Sequence, residues 1–547
     1  MSVTTEERDP DLDVVVIGAG IGGLYAMHAL RERGFRVTAY EAGEDVGGTW
    51  FWNRYPGARC DVESLDYQYS FSQDLVNEWT WSERYATQPE ILSYISWVAS
   101  RLDLRRSIEF NTRVDRAEYD EANALWVVTL CTGATVKSRF VVTAAGSISA
   151  TMVPDFPGAG DFAGEVYHPG RWPAEGVDFS NKRVAVVGVG SSGVQLIPEL
   201  AKQAAQLTVF QRTPAYSIPA RNRALGADEI ELARRNHERN AESARWSHSG
   251  INLPITGQRI LDEVDASRLP ALEKAWKLGG NLFLSAYVDT GVDLEANEVL
   301  AEFVREKIRS IVHDPVLAER LTPRSYPIGA KRIVTDTDFF ATFNRDNVSL
   351  VSLLEEPLVT IEADGIRTER GFTPVDAIVY ATGYDNLTGS LTRIDIRGRG
   401  GRTLKDSWTN GAHTYLGLAV AGFPNLFTIT GPQSPSVLIN MFQAVEQHVD
   451  WIVEAIEALR REGRDEIEST PEAEQWWSSQ IDETLQHTLY AHANSWYRGA
   501  NVAGKRTQTL VYCGGLGTYR GICNDIAADG YRGFTLGVAA QKEKETV

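Results

Sequence analysis

The chain has 547 residues, more than one hydrophobic core can organise, so we expect two or more domains. Hydrophobic residues make up 43% of the sequence and charged residues 23%, which is typical of globular proteins and argues against a disordered or fibrous chain. The formal net charge of −19 disfavours nucleic acid and anionic membrane surfaces as partners, because both are negatively charged.

Cysteine usage and hydropathy predict a cytoplasmic protein. Cys60, Cys131, Cys513 and Cys523 form no CxxC pair and no zinc spacing, which indicates a reducing compartment. None of the 9 histidines belongs to an HxxxH or HExxH pattern, so we predict no metal site. The amino-terminal residues lack the layout of a secretion signal, and no apolar run approaches the roughly 20 residues of a membrane helix.

The first nucleotide-binding pattern lies near the amino terminus. It consists of a strand 13–17, a turn with Gly18, Gly20 and Gly23, a helix 24–33 and a strand 35–40. Glycines between a strand and a helix let backbone N–H groups approach a pyrophosphate at the positive end of the helix. Glu41 ends the second strand, where a carboxylate can accept hydrogen bonds from ribose hydroxyls. The pattern predicts a dinucleotide site.

A second copy of this pattern begins at residue 183. It consists of a strand 184–187, a turn with Gly188, Gly190, Ser191, Ser192 and Gly193, a helix 194–203 and a strand 207–210. This second strand runs into Arg212 and Thr213 instead of an acid. A carboxylate would repel a 2′-phosphate, whereas an arginine can bind it, so the second site is predicted to take NADPH.

Two later strands, 140–146 and 376–383, end in small residues and mark crossover points between domains. We therefore predict an α/β fold with two Rossmann-like domains, the second inserted into the first. The predicted ranges are 1–147 with 384–547 for the first domain, 148–222 with 332–383 for the second, and 223–331 for a helical insertion. Apolar residues recur at helical spacing within that insertion, at Val299, Leu300, Phe303, Val304, Ile308 and Ile311.

Between the two glycine turns stands the pattern Phe162-x-Gly164-x-x-x-His168-x-x-x-Trp172. It closely resembles the signature of type I Baeyer–Villiger monooxygenases, in which a tryptophan at position 172 distinguishes them from relatives that oxidise amines and sulfides. Other segments resemble the same family, near its phenylacetone, steroid and cyclohexanone monooxygenase branches. These segments contain Gly48, Thr49, Trp50, Tyr55, Asp61, Lys331, Arg332 and residues 381–385.

The resemblance implies that the first domain binds FAD and the second binds NADPH. In the family, reduced flavin and O2 form a 4a-peroxyflavin that converts ketones to esters or lactones, and sulfoxidation is an expected side activity. Arg332 resembles the family arginine that stabilises the anions of this reaction, because a guanidinium keeps its charge. Asp61 resembles the carboxylate that positions this arginine. A monomer or a small homo-oligomer is expected.

The resemblance also implies roles for residues around these two. Lys331 is expected to join Arg212 and Thr213 around the 2′-phosphate. Trp496 resembles the tryptophan of a mobile loop that covers the nicotinamide. Phe162, Gly164, His168 and Trp172 are expected to couple the motion of the domains, with a linker stiffened by Pro169.

Substrate identity is the least determined property. The segment 434–441 resembles a pocket-lining loop in which Val437, Leu438 and Ile439 face the ketone, and Val437 and Ile439 are bulkier than the resemblance leads us to expect. Two alternative functions are considered. The first is an enzyme that uses the same cofactors but primarily oxidises sulfur or nitrogen, and the second is a non-catalytic FAD-binding redox sensor. A disulfide reductase is disfavoured because its CxxC centre is missing.

Overall fold

The computed structural model describes residues 10–253, 257–502 and 504–538 of the chain. Its first part forms β1 (Leu12–Ile17), α1 (Ile21–Glu32), β2 (Val37–Tyr40), α2 (Thr49–Trp52), α3 (Gln73–Glu78), α4 (Gln88–Arg101), β3 (Ile108–Glu109), β4 (Val114–Asp120), β5 (Leu125–Leu130) and β6 (Thr135–Thr143). The second part forms β7 (Glu165–Tyr167), β8 (Arg183–Val187), α5 (Ser191–Gln203) and β9 (Gln206–Gln211).

The next elements are mainly helical. They are β10 (Ser217–Pro219), α6 (Ala227–Arg235), α7 (His237–Trp246), α8 (Asp265–Leu278), α9 (Gly280–Leu284), α10 (Leu294–Ile311) and α11 (Pro315–Leu321). The following elements are mainly strands. They are β11 (Val334–Asp336), the short helix α12 (Phe339–Thr342), β12 (Val348–Ser352), β13 (Leu358–Glu362), β14 (Gly365–Thr368), β15 (Phe372–Pro374) and β16 (Ala377–Tyr380).

The carboxy-terminal part completes the fold. Its elements are α13 (Gly389–Thr392), β17 (Asp395–Arg397), α14 (Leu404–Ser407), β18 (Leu426–Thr428), α15 (Met441–Glu462), β19 (Glu466–Ser469), α16 (Pro471–Gln486), α17 (Leu516–Ala528) and β20 (Phe534–Gly537).

Two sheets organise the molecule. The first has the strand order β17-β4-β5-β6-β1-β2-β3, and β18 pairs with β6. Its β1, β2, β3, β6 and β18 run parallel, whereas β4, β5 and β6 form an antiparallel meander that the sequence did not predict. The second sheet, β12-β9-β8-β16-β7, is parallel throughout its described strands.

Chain order and sheet order together confirm the predicted fold class. Strands β17 and β18 rejoin the first sheet after the chain has completed the second, so the second Rossmann-like domain is inserted into the first. Helices α6 to α11 form the helical insertion, and the apolar positions predicted on one face lie on α10 with Leu300, Phe303, Val304 and Ile308 buried. The residue numbers proposed for the domain boundaries stay a prediction.

The predicted starts of two helices were wrong by three residues. Helix α1 begins at Ile21 and not at Leu24, and α5 begins at Ser191 and not at Val194. The reason is that the glycine turn itself winds into the first helical turn, with Gly20 and Gly190 as N-caps in extended conformation. Strand ends also shifted: the strands predicted at 35–40, 140–146 and 376–383 lie at Val37–Tyr40, Thr135–Thr143 and Ala377–Tyr380.

The cores follow from the apolar runs of the central strands. Val14, Val15 and Val16 of β1 are fully buried, because helices or strands cover both faces of that sheet. Within the described ranges, no helix is long and apolar enough to cross a membrane. The same part of the chain contains no cluster of three or more histidine, cysteine or acidic side chains that could hold a metal ion.

Helix α15 carries a buried carboxylate, Glu446, which accepts hydrogen bonds from the amide and hydroxyl of Ser70. Burial raises the pKa of Glu446 to about 7. The folded chain therefore keeps a proton that the unfolded chain releases above its ordinary pKa of 4.5. Stability is consequently lost as pH rises through the window from about 4.5 to about 7.

We predict that Glu446→Gln reduces the fall in melting temperature between pH 5 and pH 8, because it removes an ionisation penalty on the order of 3 kcal/mol. The fall is reduced and not abolished, since burial also raises the pKa of Asp66 and Glu474 to about 7. Thermal melts across this pH range measure the effect. Glu472→Gln, at an exposed carboxylate of α16, is the control, and equal pH profiles for both variants would contradict the prediction.

Candidate active site

A cavity of about 1830 Å³ lies where the carboxyl ends of the central parallel strands of both sheets meet. Both glycine turns line it, as do Asp61, Arg332 and Trp496. Ligands of open α/β sheets bind outside the carboxyl ends of the strands, at the point where the chain switches direction. Two such points facing one cavity define an oxidoreductase site for two dinucleotides.

Close approach of neighbouring backbone segments requires glycine at the first turn. Gly18 has a φ of +103°, and a Cβ there would lie 2.6 Å from the carbonyl oxygen of Ala144. A Cβ at Gly23 would lie 1.9 Å from the carbonyl oxygen of Gly18, and one at Gly48 would lie 2.9 Å from Cα of Gly20. The bare backbone at the start of α1 fits the pyrophosphate of FAD, because it presents N–H groups at the positive end of a helix.

Glu41 lines the same cavity and ties the turn together. Its carboxylate accepts hydrogen bonds from the amides of Ala19 and Gly43, each at 2.7 Å. Each carboxylate oxygen has a second acceptor position, which suits the predicted contact with ribose hydroxyls. Thr49, Trp50 and Tyr55 of the following segment also line the cavity.

The second glycine turn differs in one informative respect. A Cβ at Gly188 would lie 2.5 Å from the carbonyl oxygen of Ala381, and one at Gly193 would lie 2.3 Å from that of Gly188. A Cβ at Gly190, in contrast, would meet no described atom within 4 Å. Packing therefore explains Gly188 and Gly193 but not Gly190, whose open space fits the pyrophosphate of NADPH. Ser191 and Ser192 begin α5 at this point.

Two cations stand on the wall next to this turn. Arg212 and Lys331 both line the cavity with Thr213, and the ammonium of Lys331 lies 4.5 Å from the ring centre of Tyr326. Burial lowers the pKa of Lys331, and the nearby charge of Arg212 lowers it further. Because the two cations repel each other, an anion bound between them, such as a 2′-phosphate, is favoured.

Arg332 and Asp61 form an ion pair at the centre of the cavity. The Nε of Arg332 donates to Asp61 at 2.7 Å, and its Nη2 donates to the other carboxylate oxygen. The Nη1 donates to the backbone carbonyl of Val437. Although burial opposes it, the charge of Asp61 raises the pKa of Arg332 above its ordinary value. The guanidinium is therefore permanently charged and its direction is fixed.

Two neighbours of Arg332 were not predicted. The Val437 carbonyl carries no signal in a sequence, because every residue has one. Tyr497 lies next to Trp496, with ring centres 4.3 Å apart, and its buried hydroxyl is close to Arg332. Burial raises the pKa of Tyr497 to about 12, so the hydroxyl stays protonated at neutral pH.

His168 lies outside the cavity and joins two segments by its ring. Its Nδ1 accepts from the amide of Gly170 at 3.0 Å, so the proton is on Nε2, which donates to the carbonyl of Gly383 at 3.1 Å. Pro169 is the first residue of a short 3-10 helix, where a missing N–H is tolerated. Trp172 is buried, lines the cavity, and has its ring 5.6 Å from that of Tyr167.

Some predicted residues do not face the cavity. Gly23 and Gly193 serve the packing of helix against strand, while Phe162 packs beside β16 and a Cβ at Gly164 would lie 2.4 Å from the carbonyl of Asp376. Leu438 is absent from the cavity wall among the described residues, whereas Val437 and Ile439 lie on it. Leu438 packs instead beside Leu516.

The two domains meet at a polar junction that the sequence did not indicate. Gln195 of α5 accepts from the hydroxyl of Tyr55 at 2.8 Å and donates to the carbonyl of Arg59 at 2.9 Å. Gly57 makes this approach possible, because a Cβ there would lie 2.4 Å from the carbonyl oxygen of Gln195. The hydroxyl of Tyr384 donates to Asn53 and links two segments of the first domain.

Comparison with known proteins agrees with this site. A family model described as "FMO-like: Flavin-binding monooxygenase-like" matches residues 12–227. Acetone monooxygenase (methyl acetate-forming) from Gordonia sp. (strain TY-5) is 41% identical over 98% of this chain and 100% of its own length. The solved structure of oxidized steroid monooxygenase bound to NADP is 48% identical, with a TM-score of 0.91 over 96% of this chain and 99% of that chain. An OTEMO complex with FAD and NADP is 40% identical, with a TM-score of 0.93 over 97% of this chain and 100% of that chain.

The chain belongs to the Baeyer–Villiger monooxygenases. It is a flavoprotein that uses FAD and NADPH to oxygenate ketones with O2, as the sequence predicted.

The close contact of Gly57 with Gln195 can be tested by substitution. We predict that Gly57→Ala keeps bound FAD but slows its reduction by NADPH at least about tenfold, because α5 is pushed away from the flavin-side segment. Stopped-flow absorbance under anaerobic conditions measures this rate.

Gly133→Ala is a matched control. Gly133 has a φ of +83°, close to the +81° of Gly57, but a Cβ there meets nothing within 4 Å among the described residues. Both variants therefore carry the same backbone strain, and only Gly57→Ala disturbs the junction. Equal reduction rates in the two variants would refute the role of this contact.

Proposed function

We propose that Arg332 stabilises the negative charge that develops on oxygen during ketone oxygenation, and that Asp61 holds it in position. The ion pair of Arg332 with Asp61, placed in the cavity that both glycine turns line, is the observation that carries this proposal. A guanidinium has five N–H donors, of which three point at Asp61 and Val437. Two donors remain for Tyr497 and for a bound oxygen atom.

Bound FAD, once reduced by NADPH, supplies the oxygen chemistry that side chains cannot perform. The chain contributes charge, orientation and exclusion of water. Because Arg332 is fixed by acceptors from Asp61 and Val437, its charge is already oriented when negative charge appears, which is the most effective form of electrostatic stabilisation.

Around this centre, we assign the residues that hold each cofactor from the geometry of the two glycine turns. FAD is held by Gly18, Gly20, Gly48 and the segment that follows, with Glu41 on the ribose. The pyrophosphate of NADPH lies over Gly190, Ser191 and Ser192, and its 2′-phosphate lies between Arg212, Thr213 and Lys331. The cofactor domains comprise residues 1–147 with 384–547 for FAD, and 148–222 with 332–383 for NADPH. Their relative motion is coupled by His168, which holds Gly383 at the end of the NADPH domain, one residue before the chain re-enters the FAD domain.

The ketone lies against Val437 and Ile439, next to Arg332. Both side chains are buried and line the cavity, and Val437 is also the residue whose carbonyl holds Arg332. The named substrates of the relatives span acetone and steroids, so the fold itself does not restrict ketone size. The bulk of these two residues narrows the pocket and favours small ketones, with acetone at the lower limit.

We predict that Arg332→Ala lowers ester formation from a ketone at least about 100-fold, because the developing oxyanion loses its charged partner. NADPH is still consumed, and hydrogen peroxide replaces ester as the product. Sulfoxide formation from a thioether declines far less, since oxygen transfer to sulfur leaves no tetrahedral oxyanion. Parallel assays of ester, sulfoxide, hydrogen peroxide and NADPH measure how much of the consumed NADPH leads to each product.

Arg393→Ala is the control for loss of a cavity cation. Arg393 lines the same cavity but donates to the carbonyl of Thr151, and no carboxylate holds it among the described residues. This variant should keep its ester yield. If wild-type protein gave sulfoxide but no ester from any ketone, the role proposed for Arg332 would fail, and an enzyme primarily directed at sulfur would replace it.

A second prediction concerns ketone size. Val437→Ala combined with Ile439→Ser should shift the ratio of kcat/KM for bulky over small ketones upward by about tenfold or more, because removed methyl and methylene groups open space beside Arg332. Leu438→Ala is the matched control, since Leu438 packs behind the cavity wall. Product analysis over a ketone panel measures the ratios, and unchanged ratios in the double variant would contradict the assignment.

A further inference from the structure

The helical insertion contacts the segment that carries Asp61 from behind the cavity wall. Among the described residues, none from 216 to 325 lines the cavity. The insertion nevertheless reaches Asp61, because the Nδ2 of Asn281 on α9 donates to the backbone carbonyl of Asp61 at 3.3 Å. An effect of the insertion on the reaction therefore passes through residues that do line the cavity.

Arg84 is a buried cation that joins the insertion to the same segment. Its Nη2 donates to Glu63, two residues after Asp61, at 2.6 Å, and its Nη1 donates to the carbonyl of Leu278 at 2.8 Å. Leu278 is the last residue of α8, where helix carbonyls lack partners within the helix and carry partial negative charge. The backbone carbonyl of Arg84 also accepts from the amide of Ser64 at 2.8 Å. One buried guanidinium thus fixes the end of α8 to the segment of Asp61.

Two glycines allow α8 and α9 to approach Arg84 this closely. Gly279 and Gly280 form the bend between the two helices, with φ values of +66° and +55°. A Cβ at Gly279 would lie 2.2 Å from the carbonyl oxygen of Pro219, and one at Gly280 would lie 1.8 Å from the hydroxyl oxygen of Tyr85. The bend is therefore packed against the segment that carries Arg84, and a side chain at either glycine would force the two apart.

Helix α9 is itself anchored in the apolar core of the second domain. Phe283 is 1% exposed, and its ring centre lies 5.3 Å from that of Trp276 and 6.0 Å from that of Phe303. The position of Asn281 is therefore set by a packed core. The backbone of Asp61 is held from this core, while its carboxylate binds the guanidinium on the cavity side.

We propose that Arg84 and Asn281 are positioning residues through which the helical insertion orients Asp61, and that Asp61 in turn orients Arg332. This inference rests on the roles proposed above for Asp61 and Arg332. Neither Arg84 nor Asn281 lines the cavity, so both act on the reaction only through the position of Asp61. A displaced Asp61 lets the guanidinium turn away from the place where negative charge develops, and small displacements of such groups are costly.

The test measures ester formed per NADPH consumed, on FAD-loaded protein with the ketone in excess. Misfolded protein consumes no NADPH, so a purely structural loss leaves this ratio unchanged. We expect Asn281→Leu to lower the ratio about three- to tenfold, the effect of one lost hydrogen bond, with hydrogen peroxide replacing the missing ester. Arg84→Lys should lower it by a similar factor, because an ammonium keeps the charge beside Glu63 but offers no planar fork to two acceptors.

Asn344→Leu is the matched control. Asn344 is also half-buried, and its Nδ2 donates to one backbone carbonyl, that of Ile311, at 2.8 Å. Its hydrogen-bond partners in the described structure are Ile311 and His313, and neither lines the cavity. This variant should keep the wild-type ratio. Asn281→Leu is then repeated in Asp61→Ala protein, where it should change the ratio less than about twofold, since its route to the reaction is already removed.

The other outcomes decide against the inference or against the function beneath it. Unchanged ratios in both Asn281→Leu and Arg84→Lys overturn the inference, as does an equal fall from Asn281→Leu in the wild-type and Asp61→Ala proteins. If Arg84→Lys yields no FAD-loaded protein, Asn281→Leu decides alone, because it leaves the ion pair of Arg84 intact. If Arg332→Ala and Asp61→Ala themselves leave the ratio unchanged, the proposed function fails. A fall in those two without a fall in the positioning variants refutes the inference alone.

Discussion

The ion pair between Arg332 and Asp61 is the contact on which the remaining site geometry depends. Asp61 belongs to the flavin-side segment, Arg332 follows the helical insertion, and the carbonyl that completes the contact belongs to Val437. Three distant parts of the chain therefore meet at one guanidinium. A partly buried charge with its partner removed costs several kcal/mol, so neither residue can be lost without displacing the other. The pair thus fixes the positions of the segments around Asp61, Arg332 and Val437 relative to one another.

Around this fixed centre, the two domains contact each other through hydrogen bonds and through apolar packing, in which Tyr55 and Ala58 join the core of the second domain. The hydrogen bond between Gln195 and Tyr55 crosses the junction, while Tyr384 with Asn53 and His168 with Gly383 join segments within one domain. Polar contacts of this kind can be exchanged for water or cofactor at little net cost, whereas an apolar interface cannot open without exposing its surface. A junction that is partly polar suits a reaction in which one nucleotide must first approach the flavin and then move away from it.

The sequence predicted what depends on local spacing and missed what depends on distant contacts. Gly18, Gly188 and the strands before them follow from short-range backbone requirements, and the fold class was confirmed for that reason. The helix starts were wrong because glycine lowers helix propensity although its backbone can still wind. The meander of β4 and β5, the Gln195 junction and the Val437 carbonyl leave no pattern at fixed spacing, since each requires segments that are separated by the fold. The resemblance supplied Arg332 and Asp61, which spacing alone would not have paired.

The net charge of the protein is negative, whereas cations stand on the cavity wall. The distance of each charge from a bound anion decides how strongly it affects binding. The chain carries −19 overall, yet Arg212, Lys331 and Arg332 stand on the cavity wall. Beyond about 8 Å, salt screens the field of the distant carboxylates under physiological conditions, while a phosphate in contact with a guanidinium is screened little. Binding of an anionic cofactor is therefore governed by its nearest cations. Of these three cations, only Arg332 has an acid partner in the described part of the chain. Lys331, with its lowered pKa and no acid partner among the described residues, instead gains most when a phosphate arrives. An anion at this wall relieves the repulsion between Lys331 and Arg212, and this relief favours a cofactor that bears a 2′-phosphate over one that lacks it.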